Sequence, residues 1–323
     1  MHKVKLSIRG VWIRRIQAGI VGLVIGSIIS VLLKTWGQVK EIPWVFNPGF
    51  LVSSFILVSG LVIFWAFIWS WLLQQIAGKR LSLNQVASIY IYGNTTKYIP
   101  GSAWNFFAKA YLGSRVGINQ DHIWLANITE FLGGATTGFF LYEISLLWSQ
   151  VQKPITSPYL LVALLLFLFI INSPGVLGKI YARVQFWRKN NISVFNPTYN
   201  FFYYCIYMII TGLVWTIIGI SFFLFIRSFY FIDPSLIPAT VGAWSLATSI
   251  GMLAIGFPQG VGVKDGVLVF LLTAVVPLPT AFYIAVLARV WTILCDLLAL
   301  FFWWLVDRVW LKHPIFQVKV NSE

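Results

Sequence analysis

The chain has 323 residues, 59% of them hydrophobic and only 10% charged, with a mean hydropathy of +0.83. That balance excludes a water-soluble globular protein: apolar stretches recur from end to end, and about 20 such residues carry a helix across the hydrocarbon core of a bilayer. The net charge of +14 would suggest nucleic acid in a soluble chain, but here it reads as a topology signal that also attracts anionic lipid head groups, so no nucleic-acid partner is expected.

In chain order, a basic tail (1–15) precedes an apolar run at 16–33 that is too long for a signal peptide and lacks an Ala-x-Ala cleavage pattern. Six further runs follow at 50–73, 123–148, 159–171, 201–226, 236–255 and 281–306. Two regions fit no ordinary span. The first, 83–115, is apolar to residue 112 but broken by Pro100-Gly101; the second, 257–279, opens on Pro258 with Gly260 and Gly262 close behind. Proline removes a backbone donor and glycine loosens a helix, so such breaks survive at membrane depth only when buried in protein or lining a wet cavity. Charge decides how they run. With the first region re-entrant and the second a short crossing, sixteen of the 23 Lys and Arg residues fall on one side, four on the other and three within the membrane. The expected fold is therefore all-α: a polytopic integral membrane helix bundle of about eight crossings, forming a single membrane domain over 1–323. Both termini, including a tail at 307–323, would be cytoplasmic in a cell (plasma or inner) membrane. Residues 178–189 place Ile180, Val184 and Trp187 on one face, which suits an interfacial helix. Gly134-x-x-x-Gly138 reads as a close-packing face between helices.

Nothing in the sequence suggests catalysis or a cofactor. His2, His122 and His313 are scattered without ligand spacing, and Cys205 and Cys295 lie in apolar runs as small core residues. The informative residues are ionisable groups within the membrane, each of which costs about 2.5–3.5 kcal/mol on insertion scales and so calls for a partner or a purpose. The acidic ones are Glu130, Glu143, Asp265 and Asp296; their candidate partners are Lys97, Lys109, Lys264 and Arg289. Arg289 and Asp296 share a helix face but stand two turns apart, so each should look to another segment, and Glu130 or Asp265 is the expected partner of Arg289. Asp265 is also a ready counter-ion for its neighbour Lys264. Lys97 and Lys109 bracket Pro100-Gly101 while Lys264 follows Pro258, so both breaks combine freed backbone amides with ammonium groups, a combination that suits anionic phosphate.

The stretch KYIPGSAWNFFAKAYLGSRVGI resembles a motif of the lysylphosphatidylglycerol synthase transmembrane region, a flippase-like membrane family, and GFPQGVGVKDGVLVFLL is similar to its second motif. ANITEFLGG, with Glu130, and AVLARVWTILCDLL, with Arg289, sit where that family places an acidic and a basic intramembrane residue. The resemblance implies a multi-span domain with re-entrant helices, without the soluble aminoacyl-transferase domain, that acts on membrane lipids and catalyses no covalent step. It implies a lipid translocase or lipid-binding transporter for an anionic phospholipid, an aminoacyl-phospholipid or a polyprenyl-phosphate-linked sugar. The head group would meet Lys97, Pro100, Gly101, Asn105, Lys109, Pro258, Gly260, Gly262, Lys264 and Arg289, with Glu130, Asp265 and Asp296 balancing charge or gating. The alternative is a non-transporting accessory subunit of a glycosyltransferase or other lipid-modifying enzyme.

Overall fold

The computed structural model describes residues 26, 37, 42–78, 80–99, 104–148, 158–187, 200–254 and 257–311. Among these the chain is helical with no strand: α1 (Pro48–Ala77), α2 (Leu83–Asn94), α3 (Trp104–Arg115), α4 (Gln120–Trp148), α5 (Pro158–Ile171), α6 (Pro174–Trp187), α7 (Phe201–Arg227), α8 (Ile237–Leu253), α9 (Val263–Leu272) and α10 (Leu278–Val306). Among the described residues, four segments are long and apolar enough to cross a membrane: Pro48–Ala77, Phe201–Arg227, Pro234–Leu253 and Leu278–Val309. The basic tail at 1–15, the run at 16–33 apart from Gly26, and the Pro100-Gly101 break lie outside the described residues. The helix of α10 continues into a π-helical turn, Asp307–Leu311, where a tail had been expected to begin.

Helix ends are set by local chemistry. At the start of α1 the Asn47 side chain accepts the Phe50 N–H at 3.3 Å ahead of Pro48, and at its end Gly78, with φ 63°, donates to the Gln74 carbonyl at 3.0 Å. Asn200 caps α7 in the same way, accepting from Tyr203 N–H at 3.2 Å.

Side-chain contacts give each helix a direction. The start of α1 is bonded to the end of α7 (Asn47 N–H to Ser228 O, 2.9 Å), so these two run antiparallel. The end of α1 meets the start of α7 through the Trp71 and Tyr203 rings. We call the first of these the near end and the second the far end. α10 runs with α1, since Ser59 bonds the Cys295 carbonyl and Phe67 packs on Trp303. α4 runs with α7, with Gly133 against Tyr207 and Gly138 against Trp215. α5 ends at the start of α7, where Tyr204 donates to the Phe169 carbonyl at 3.1 Å.

The two broken regions are hairpins that enter from opposite ends. α2 leaves the far end, where Trp303 bonds Ser88, and reaches the middle of α10, where Lys97 bonds Asp296; α3 then returns beside α4, with Gly93 on Lys109 and Gly113 on Ile123. α8 leaves the near end, where Gly242 packs on Ser145, and stops at Gly134, the central residue of α4, against Met252. α9 turns back from there, since Gly251 lies on Lys264 while Trp244 and Leu268 line one cleft. At 10 residues, α9 is only about 15 Å long, half of a hydrocarbon core. It returns toward the end where α8 began, the direction the expected short crossing would also take; the difference lies in depth, since α8 stops at the middle of α4.

Each end of the bundle has its own apolar core. Phe222, Trp244, Leu272, Ile284 and Trp291 centre the near one, and Trp69, Ile76, Ile89, Ile123 and Tyr204 the far one. Small residues let α4 and α8 meet between them: a Cβ on Gly138 would collide with Ser249 and lie 2.7 Å from the Ser245 carbonyl.

A polar chamber between two hairpin tips

The tip of the first hairpin is a 3-10 turn, Thr95–Tyr98, continuing α2; that of the second is the turn Pro258–Gly260 ahead of α9. The two tips touch. The second tip is sharply wound: Gln259, Gly260 and Gly262 have φ of 51°, 62° and 82°. A Cβ on Gly260 would lie 2.6 Å from the Cα and carbonyl oxygen of Gly251, so this glycine serves both the left-handed turn and the close approach of α8.

Three ion pairs surround the tips. Lys97 Nζ meets Asp296 Oδ2 at 2.7 Å, and Tyr98 donates its hydroxyl to the same oxygen. Arg289 presents Nε and Nη2 to Asp265 at 2.8–3.1 Å, a two-toothed contact that also fixes Asp265 as the cap of α9, where it accepts the Gly262 N–H at 3.0 Å. Lys109 Nζ meets Glu130 Oε2 at 2.8 Å, while Glu130 Oε1 accepts from Trp65 Nε1 at 2.9 Å and from the Tyr90 hydroxyl at 2.7 Å. This third pair differs in kind. Lys109 is 1% exposed and held between the Trp69 and Tyr90 rings, whereas the side chains of the other two pairs are 16–24% exposed.

Arg289 thus takes Asp265 and leaves Glu130 to Lys109, and the expected pairing of Lys264 with Asp265 does not form. Lys264 Nζ instead lies 3.9 Å over the Trp244 ring and, among the described residues, has no ion-pair partner. Four cations and three carboxylates meet here, so Lys264 carries the surplus charge. It also stands deep in the bundle, facing Gly251 beside the middle of α4 and α10, where the charge count had set it at the cytoplasmic surface.

The tips enclose a cavity of about 330 Å³. Lys97, Asn94 and Asn105 line it from the first hairpin, and Gln259, Gly260 and Lys264 from the second. Glu130 and Asp296 complete its charged wall, and Trp65, Trp215 and Trp244 give it flat apolar faces. Lys109 is not part of the lining; Arg289 and Asp265 line an adjoining cleft with Lys264. Two lining oxygens, Asn105 Oδ1 and Thr248 Oγ1, are buried without a partner, a cost of about 1–3 kcal/mol each for a group cut off from water. Pro100 and Gly101 lie outside the described residues, and Gly262 serves the α9 turn. Sequence reasoning missed Trp65, Tyr90, Tyr98, Trp244 and Thr248, because an aromatic or hydroxyl group inside an apolar run looks the same whether it packs a core or faces a chamber. Only Tyr98 carried a usable signal, its place beside Lys97 at the Pro100 break.

An all-α bundle with apolar helices long enough to span a bilayer, and two opposed helical hairpins around a charged chamber, defines an integral membrane protein. The family model for the lysylphosphatidylglycerol synthase TM region matches residues 19–299, and the chain belongs to that family. Comparison with curated proteins and with solved structures gives no match. Family membership makes this a membrane protein linked to lipid handling.

Proposed function

We propose that the protein is a lipid translocase whose chamber takes the anionic head group of a membrane lipid while the acyl or prenyl chains stay in the bilayer. One observation carries this reading: oppositely directed hairpin tips share a cavity whose charge is unbalanced by the single cation Lys264. The hairpins are then re-entrant, one from each face, and with the run at 16–33 the chain crosses six times. An even number keeps both termini on one side. The far end, which among the described residues carries Arg80, Arg115, Lys179, Arg183 and Arg308 against Arg227 at the near end, is the cytoplasmic one.

In this reading Lys264 holds the head group, and Lys97–Asp296 and Arg289–Asp265 act as latches joining each tip to the middle of α10. The two latches have opposite polarity: the first tip offers a cation to the helix, the second an anion. An anionic head group competes with Asp296 for Lys97 and with Asp265 for Arg289, so its arrival loosens both contacts and couples binding to movement of the tips. Lys109–Glu130 is too buried for that role and fixes the first hairpin to α4.

The test is reconstitution of the full chain in vesicles with fluorescent lipids of defined head group. The protein should speed exchange between leaflets, and Lys264→Gln should slow it at least about tenfold, the effect of losing one charge-assisted contact. Exchange no faster than in protein-free vesicles, with lipid still bound, would favour the accessory-subunit role.

A further inference from the structure

We infer that the chamber is built for a head group in which one phosphodiester, carrying a single negative charge, is joined to a hydroxyl-bearing group. This deepens the translocase reading and rests on it.

Charge sets the first condition. The local excess is one positive unit, on Lys264, because every other ionisable group at the tips is paired. At mid-bilayer depth an unbalanced charge is costly in either direction. A monoanionic phosphodiester leaves the site neutral. A phosphomonoester brings a second negative charge that no free cation meets, and an aminoacylated head group of net positive charge adds to the existing excess.

Hydrogen bonding sets the second. Asn105 Oδ1 is buried, lines the chamber and accepts from nothing, so it asks for a donor. A phosphodiester has no proton to give. A hydroxyl does, and it can also bond to Thr248 Oγ1, which may donate or accept and is likewise buried without a partner. Asn94 and Gln259 extend this polar rim from the two tips. The indole faces of Trp65 and Trp215 offer flat surfaces for the C–H face of a glycerol or a hexose. Two lipid classes share this chemistry: glycerophospholipids with a polyol head group and polyprenyl-phosphoryl hexoses.

The experiment measures binding of defined lipids to the purified full chain in nanodiscs. Phosphatidylglycerol and a polyprenyl-phosphoryl glucose represent the two sources. Phosphatidylmethanol keeps the phosphodiester without a hydroxyl, phosphatidic acid adds the second charge, and lysyl-phosphatidylglycerol reverses the net charge. At least one of the first two should bind about tenfold or more tightly than each of the other three, and the tighter of the pair identifies the source. Thr248→Val and Asn105→Leu should erase the advantage over phosphatidylmethanol, a loss selective for the hydroxyl-bearing lipids, whereas misfolding would weaken the binding of all five lipids alike. Equal binding of phosphatidylmethanol, or tightest binding of phosphatidic acid or lysyl-phosphatidylglycerol, overturns this inference. If Lys264→Gln changes the affinity of none of the five lipids, the translocase reading itself falls.

Discussion

Asp265 turns away from its sequence neighbour Lys264 and closes on Arg289, 24 positions further along, leaving Lys264 against the face of Trp244. The reason lies in the start of α9. Asp265 is the third residue of that helix and is held there by the Gly262 N–H, which aims its carboxylate across to α10. Arg289 answers with a planar fork that a lysine lacks.

Removing one partner of this pair should cost more than removing both. Arg289→Ala strands a carboxylate among apolar helices and is expected to destabilise the fold by about 3–5 kcal/mol. The double variant Arg289→Gln, Asp265→Asn leaves no charge behind and should recover much of that loss. Thermal unfolding of the purified protein in detergent measures the difference; equal destabilisation by the single and double variants would mean the pair does not form.

Lys109 and Lys264 occupy similar places in the two motifs but should behave differently on substitution. Lys109→Met leaves Glu130 buried with only Trp65 and Tyr90 to meet it, and should lower stability by about 3–5 kcal/mol. Lys264→Met removes a cation with no carboxylate partner, so the fold should hold while lipid exchange fails. Yield of monodisperse protein and exchange rate, read side by side, separate the two roles.

How much of this was legible in the sequence depends on the scale of the question. Long apolar runs fix the membrane helices, and Pro258 with its glycines marks a break. The depth of that break was not legible: a reversal there suits two crossings and a hairpin alike, and only the stop of α8 at mid-α4, with Met252 against Gly134, sets the turn inside the bundle. Charge counting could not decide it either, because moving Lys264 from the surface to mid-depth leaves every other basic residue on its side. Pairing was half legible. Depth and separation ruled out Arg289 with Asp296, but the choice between Glu130 and Asp265 required the capping geometry of α9. The aromatic and hydroxyl lining was invisible, since Trp244 and Thr248 sit on α8 amid residues of the same kind that pack its core.

Gly138 makes the packing of the second hairpin testable apart from its chemistry. Its missing side chain admits the Ser245 carbonyl and Ser249, so Gly138→Val should force α8 off α4 at a cost of about 1–3 kcal/mol or more. Gly60, which faces open space on α1, is the control: Gly60→Val should change the unfolding temperature far less.

The hairpin direction itself can be read by cysteine labelling. With Cys205 and Cys295 replaced, single cysteines are placed at Ser114, at the far-end base of the first hairpin, at Thr273, at the near-end base of the second, and at Gln259, on the second tip. If both hairpins are re-entrant, a membrane-impermeant thiol reagent should reach Ser114→Cys only from the cytoplasmic side and Thr273→Cys only from the outside. Gln259→Cys should react much more slowly than either, because its route runs through the chamber, and added lipid of the bound class should slow it further. A short crossing makes a different demand: it puts residues 255–262 in a cytoplasmic loop, where Gln259→Cys would label as fast as Ser114→Cys and lipid would not protect it. That outcome would remove the second hairpin from the middle of the bilayer and with it the chamber on which lipid translocation depends.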